Sequence, residues 1–290
     1  MTVEISYFPG CSLKTKAANF EQSALAVLDK LDVQAKELDD WYCCGATFSM
    51  SSDNLMYQIA PVRTLIKAKE SGRRTLLTLC AMCYNTLKRA SLDIIGDEEK
   101  RDTLNQFMYL EEVDFTGDDV DVVHMVTLLE QIGLDKLEEK VVKKPEGLSF
   151  AAYYGCLLTR PKEVALDDTA EPTIMEHILQ KLGCKGVYFP YKTECCSSYQ
   201  VVNNPDVTEV RVKKIINNAR KNGADCIVCS CPLCDFNLDA IQKDIMENDL
   251  TFEPMPVLYF TQILALALGI SPETMNFNLH HIDPKPVLER

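Results

Sequence analysis

The chain has 290 residues, 47% of them hydrophobic, with 13 cysteines and a formal net charge of −13. That length can bury one large core or two ordinary ones, and so acidic a surface argues against nucleic acid, where neutralising phosphates dominates affinity. The longest strongly apolar stretch, Val257 to Ile270, contains Thr261 and Gln262 and is too short to span a bilayer, so a buried helix is expected there and no membrane segment.

Met1-Thr2-Val3-Glu4 carries no basic region, and no apolar run precedes Pro9-Gly10-Cys11, so no signal peptide is read and a reducing cytoplasm is expected. Ile5 to Phe8 reads as a strand ending in a Pro9-Gly10 turn that presents Cys11. Phe20, Ala24, Val27, Leu28 and Leu31 follow the spacing of one helical face. Trp41 and Tyr42 lead into Cys43-Cys44-Gly45, where the glycine lets backbone approach a bulky ligand. Ser51, Ser52, Asp53 and Asn54 offer an N-cap to a helix through Leu55, Ile59, Val62 and Ile66 that stops near Gly72. Thr75 to Leu79 reads as a buried strand delivering Cys80-Ala81-Met82-Cys83, and Asn85 to Arg89 begins another helix. Val120 to Val123 and His124 to Ile132 close the first half as strand and helix.

The second half repeats this order about 151 residues later. Ala151 to Tyr154 is the strand before Gly155-Cys156, and Thr173 to Leu182 is a helix closed by Gly183. Val187 to Phe189 is read as the strand before Cys195-Cys196, and Val207 to Arg220 as the helix ending near Gly223. Ile227 and Val228 lie in the strand before Cys231-Pro232-Leu233-Cys234, and Pro256 to Leu268 closes the half. Two insertions, Arg160 to Pro172 and the acidic Asp97 to Asp119, read as surface loops. Lys143 to Gly147, polar and carrying proline and glycine, reads as the linker. The division expected is therefore 1–146 and 147–290. Strands alternating with helices imply two tandem α/β domains, each with a largely parallel sheet. Ligands collect beyond the carboxyl ends of such strands, where all three cysteine groups of each half fall. Packing of the copies about a pseudo-two-fold axis is the expected arrangement.

Ten cysteines thus form two matching sets: Cys11, Cys43, Cys44, Cys80 and Cys83, then Cys156, Cys195, Cys196, Cys231 and Cys234. Gaps of 31 and 35 residues separate the three groups of the first set, and 38 and 34 those of the second. A structural zinc is satisfied by four ligands, and adjacent cysteines in extended chain point apart. Five thiols suit a polynuclear iron–sulfur cluster, in which neighbouring cysteines serve different irons. A disulfide framework fits neither the compartment nor the odd cysteine total. Thiol exchange by the Cys-x-x-Cys pairs would need a free attacking thiol, whereas each pair lies inside a five-cysteine set.

Pro9-Gly10-Cys11, Cys43-Cys44-Gly45 and Cys80-Ala81-Met82-Cys83, with their second-half counterparts, resemble the tandem cysteine-rich CCG domains of the B subunit of heterodisulfide reductase over nearly the whole chain. Related domains also occur in lactate and glycolate oxidation complexes and in thiol-dependent fumarate reductase. One departure is Ser197, where the motif has glycine, which puts the local backbone in question. The resemblance implies two noncubane [4Fe-4S] clusters, one on each set of five, facing each other across the domain interface. It implies reduction of the coenzyme M–coenzyme B mixed disulfide, formed in the last step of methanogenesis. As partners it implies the other two polypeptides of heterodisulfide reductase, a small one carrying cubane clusters and a flavoprotein coupled to hydrogenase or formate dehydrogenase. The alternative is an electron-transfer or scaffold subunit of another oxidoreductase of the related types.

Neither a ferredoxin cysteine run nor a Gly-x-Gly-x-x-Gly fingerprint is present, so electrons arrive from another chain. Cys184, Cys226 and Cys229 read as buried filler. His124 reads as a core histidine, with a proton-donating role as the other candidate. His280-His281 falls in a polar tail and reads as solvated. Lys14, Lys16, Arg160 and Lys192, with Lys162, lie near cluster cysteines and are candidates for binding a substrate sulfonate or phosphate.

Overall fold

A computed structural model describes residues 3–46 and 54–289. Among the described residues eight strands form two four-stranded sheets, each entirely parallel. The first contains β1 (Val3–Phe8), β2 (Val33–Glu37), β3 (Thr75–Thr78) and β4 (Asp121–His124) in the order β2-β1-β3-β4. The second contains β5 (Ser149–Tyr153), β6 (Lys185–Gly186), β7 (Cys226–Cys229) and β8 (Val257–Tyr259) in the matching order β6-β5-β7-β8.

The inner strands β5 and β7 read as near-continuous apolar runs, whereas Glu4 and Ser6 interrupt β1. Phe150, Ala151, Ala152 and Tyr153 of β5 and all four residues of β7 are buried. Cys226 and Cys229 belong to that core, as does Cys184 nearby, in keeping with their filler reading.

The halves exchange equivalent contacts, as a pseudo-two-fold axis requires. Helix Ala18–Lys30 of the first packs on Phe260–Ala267 of the second, and Ile174–Lys181 of the second packs on Met125–Ile132 of the first. At the first contact Phe20 stacks on Tyr259 with ring centroids 4.2 Å apart, and the Ser23 and Thr261 hydroxyls share a buried hydrogen bond of 2.7 Å. An aromatic pair of this kind adds about 1 kcal/mol beyond its buried area. The segment Lys143 to Gly147 lies outside helix and strand, and the Lys143 amide is pinned to the Ala267 carbonyl.

Several expectations are corrected. Asp97 to Asp119 is not a loop throughout: Glu98–Phe107 is a helix, because Asp97 caps it by accepting from the Lys100 amide and Leu104 buries against the core. The strand expected at Val187 to Phe189 lies two residues earlier, at Lys185–Gly186, and Phe189 instead turns into the core. His124 ends β4 and caps the following helix rather than starting it. The helix expected to begin at Asn85 starts at Ala81.

His280 is buried, not solvated. Its Nε2 lies 3.3 Å from Asn19 Nδ2 and within 3.1 Å of both the nitrogen and the oxygen of the Gln262 side-chain amide, so the ring is held between the two halves. The His281 and Ile282 amides donate to the Asp239 carboxylate, which holds the tail in place. Of the cap candidates, Asn54 accepts from the Met56 amide, whereas Ser51, Ser52 and Asp53 lie outside the described residues.

Candidate metal centre

The strand order places β1 beside β3 and β5 beside β7, and each pair flanks the point where the chain reverses its direction across the sheet. A crevice opens at that point beyond the carboxyl ends. Cys11 follows β1 through Gly10, whose φ is +69°, and Cys156 follows β5 through Gly155, whose φ is +67°. Cys80 and Cys231 are the N-cap residues of the helices Ala81–Gly96 and Pro232–Asn248, which places Cys83 and Cys234 in the first turns. Helix N-termini favour thiolate over thiol.

A side chain at either glycine would fill space that the sulfurs occupy. A Cβ on Gly10 would stand 2.9 Å from Cys83 Sγ, and one on Gly155 would stand 3.1 Å from Cys234 Sγ. Both the positive φ and the close approach demand glycine here.

Cys43 and Cys44 follow β2 through Trp41, which sits edge-on to Phe8 and donates to Glu37. Gly45 after the first pair has φ +72°, and Ser197 after the second has φ +66°. The serine therefore keeps the glycine's left-handed conformation, at a steric cost that a glycine avoids. Its amide is 3.3 Å from Cys195 Sγ.

Side chains meet in the succession Cys43, Cys44, Cys83, Cys80, Cys231, Cys234, Cys196, Cys195, Cys156, and the step from Cys80 to Cys231 crosses from one half to the other. Cys11 lies near the Cys43 end and is exposed. Hydrogen bonds from Cys43 and Cys83 hold Cys44 down at about 4, and those from Cys156 and Cys196 hold Cys195 at about 2. Cys234 and Cys80 hold Cys231 well below the usual thiol range. Cys43, Cys156 and Cys80 are pushed up first by bonding to those same neighbours. Thiolate is the form that ligates metal.

Among the described residues no three His, Cys, Asp or Glu side chains converge as they would on a single metal ion. The donors nonetheless suit a larger sulfur-bound group: five thiols per set, a glycine cradle beneath each, and buried hydroxyls with no partner. Two such hydroxyls lie close in sequence to the Cys-x-x-Cys pairs: Thr78 Oγ1, at the end of β3, and Ser230 Oγ, one residue before Cys231. Orphaned buried donors beside such a group are ones that cluster sulfurs can satisfy.

The other candidates separate clearly. His124 is fully buried, with Nε2 2.9 Å from the Leu79 carbonyl and Nδ1 accepting from the Val126 amide. Burial lowers it to about 4, so it stays neutral with both nitrogens committed to backbone, which is the core-histidine reading. Lys14 is paired with Glu21 at 2.8 Å and Glu37 at 2.6 Å. Lys192 is buried, 2.6 Å from Glu176 and 3.0 Å from the Pro172 carbonyl. Lys16, Arg160 and Lys162 are exposed.

Three residues escape the sequence reading. Asn85 donates from Nδ2 to the Leu157 and Arg160 carbonyls, which ties the helix after Cys83 to the loop after Cys156. Ser230 and Tyr199 are the others, and Tyr199 reaches from the second half to Met82 of the first. Their nearness to paired cysteines is the available signal, but side-chain direction is set by the fold.

Residues 5–88 and 150–239 match the family model described as CCG, a cysteine-rich domain. The chain is 32% identical over 284 residues, 98% of each chain, to the Wolinella succinogenes protein named 8-methylmenaquinol:fumarate reductase membrane anchor subunit. It is 29% identical, over 96% of this chain and 94% of the relative, to a Methanosarcina acetivorans protein named as the B subunit of ferredoxin/F(420)H(2)-dependent CoB-CoM heterodisulfide reductase. A crystal structure of a hypothetical protein from Helicobacter pylori superposes with a TM-score of 0.76 at 13% identity, over 96% of this chain and 51% of that one, a likeness of fold alone. Among the described residues no helix is long and apolar enough to cross a membrane.

Proposed function

The chain belongs to the family of CCG cysteine-rich domain proteins, with the B subunit of heterodisulfide reductase among its relatives, and from that membership we propose that it is the part of an iron–sulfur oxidoreductase that reduces a disulfide between its two halves. Cys11, Cys43, Cys44, Cys80 and Cys83 would hold one cluster, and Cys156, Cys195, Cys196, Cys231 and Cys234 the other, each a noncubane [4Fe-4S] group. Such a cluster supplies one electron and a soft iron that accepts a thiolate. The observation that carries the reading is the contact of Cys80 with Cys231. It sets the two thiol sets side by side, so that two one-electron centres can serve one two-electron bond.

The residues of the chain supply position and charge. The helix N-termini at Cys80 and Cys231 present the two Cys-x-x-Cys pairs to each other, and the Tyr259–Phe20 stack and the Asn85 bridge fix the halves against each other. If the substrate is the coenzyme M–coenzyme B disulfide, its sulfonate and phosphate need cations. Lys14 and Lys192 are already taken by Glu21, Glu37 and Glu176. That leaves the exposed Lys16, Arg160 and Lys162 as the candidates for anion binding. Electrons would enter from a small partner polypeptide with cubane clusters, fed by a flavoprotein with hydrogenase or formate dehydrogenase behind it. The exposed Cys11 and Cys43 mark an edge that such a partner can approach. A cytoplasmic setting goes with this reading.

A second reading is an electron-transfer subunit of a fumarate reductase, favoured by the end-to-end match to the Wolinella succinogenes protein. Fold does not choose between them. The anaerobically purified chain, treated with coenzyme M and then coenzyme B and followed by EPR, separates the two. A thiol-dependent cluster signal supports disulfide reduction, and a signal indifferent to both thiols supports the relay.

A further inference from the structure

Tyr199 follows Cys195, Cys196 and the left-handed Ser197, and its hydroxyl donates to Met82 Sδ of the other half at 3.4 Å. Met82 sits between Cys80 and Cys83 and is buried, whereas Tyr199 is 44% exposed. Burial, together with the nearby Cys156, Cys195, Cys231 and Cys196, raises the same hydroxyl to about 12 and keeps it a donor at neutral pH. One side chain thus meets solvent, the second cysteine set and the Cys-x-x-Cys loop of the first.

The acceptor it holds is a poor one. A thioether sulfur accepts hydrogen bonds weakly, and a thiolate, which carries charge, accepts them strongly. Any thiolate admitted to this edge would compete successfully for the hydroxyl. We propose that Tyr199 positions the substrate: its hydroxyl leaves Met82 Sδ and donates to the sulfur of an exogenous thiolate lodged between the two cysteine sets. The inference rests on the disulfide-reducing reading given above and adds to it the residue that orients the sulfur. No proton leaves the tyrosine. A hydrogen bond to a charged sulfur favours the bound thiolate, and the ring limits the approach to the exposed edge.

The test uses the cluster-loaded protein and its Tyr199→Phe and Met82→Leu variants, checked for iron and titrated with 2-mercaptoethanesulfonate and 2-mercaptoethanol. The cluster EPR signal reports occupancy. Loss of the hydroxyl should weaken thiol binding by about ten-fold or more with iron unchanged. Met82→Leu frees the hydroxyl and should bind thiol as tightly as wild type or tighter. If the hydroxyl is only a bridge between halves, both variants lose the same contact and behave alike, which overturns the proposal. Loss of iron from Tyr199→Phe overturns it as well, because the hydroxyl then supports the loop. Wild-type affinity in Tyr199→Phe sinks the tyrosine role and leaves disulfide reduction standing, whereas a wild-type signal blind to both thiols removes both.

Discussion

Cys80 and Cys231, the N-cap residues of equivalent helices in the two halves, meet side chain to side chain across the interface. Each also bonds to the second cysteine of its own Cys-x-x-Cys, so the two sets form a single run of sulfurs. Five thiolates per half over-supply a zinc ion. Anaerobically purified protein is expected to hold about eight irons and little zinc, at four irons per cluster. Cys80→Ser and Cys231→Ser should each reduce the iron by about half. Zinc at one equivalent, with iron near half the expected amount, would make one half structural and remove the two-centre mechanism.

The cysteines outside the sets are expected to behave differently. Cys184, Cys226 and Cys229 are buried, and burial is the first cause that raises each thiol, Cys184 to about 12. Serine at any of them should leave iron intact and cost about 1–2 kcal/mol from a hydroxyl placed in an apolar core. Iron analysis beside thermal unfolding checks this, and the loss of a whole cluster would show that the ligand set is drawn wrongly.

What is legible in the sequence follows from how strongly each residue's surroundings are dictated locally. The inner strands β1, β3, β5 and β7 each carry a buried stretch that leads into a glycine–cysteine or cysteine motif, and they are readable for that reason. β2 escapes the reading because Val33-Gln34-Ala35-Lys36-Glu37 is an edge strand that buries little beyond Val33. β6 spans two residues, too few for any periodicity to show. His280 looks solvated because its neighbours are polar, yet Asn19 of the first half and Gln262 of the second close over it, a contact 261 residues long in sequence on the Asn19 side. Lys192 lies beside the paired cysteines in the chain, but Glu176 claims its ammonium in space.

Lys192→Met is therefore expected to act on stability rather than on substrate binding. Glu176 is 12% exposed and also accepts from the Tyr154 hydroxyl, so removing the lysine leaves a buried carboxylate short of its charge partner. The cost should be about 3 kcal/mol, and Tm should fall by about 5 °C. Lys16→Met and Arg160→Met should leave Tm unchanged, and for the coenzyme M–coenzyme B disulfide they should raise KM by about ten-fold at low salt. Wild-type KM in both would move anion binding to Lys162, to backbone amides or to a partner.

Acid should destabilise the tail contact through His280. Burial lowers its pKa to about 4 from 6.5, so the fold holds it neutral where the unfolded chain protonates it. Stability from this group is complete above 6.5 and is lost as pH falls toward about 4, where the loss levels off; the full span is worth about 3 kcal/mol. His124 shifts in the same direction, so His280→Gln should remove only its own share of the pH slope. Urea midpoints of wild type and variant between pH 7.5 and 5 measure that difference, and parallel curves would place the protonation elsewhere.

Ser197 offers the opposite sign. Its φ of +66° sits beside the +72° of Gly45 in the first half, and its amide points at Cys195 Sγ. An L-residue held in that region costs about 1–2 kcal/mol that glycine does not. Glycine also loses more entropy on folding, which returns about 0.5–1 kcal/mol of that difference. Ser197→Gly should therefore keep both the amide contact and the iron, and raise stability by about 1 kcal/mol or somewhat less, near 2 °C in Tm. Ser197→Ala, which keeps a Cβ and removes only the hydroxyl, separates the two contributions. A fall in stability for both variants would mean that the hydroxyl, rather than the backbone conformation, is what the serine supplies.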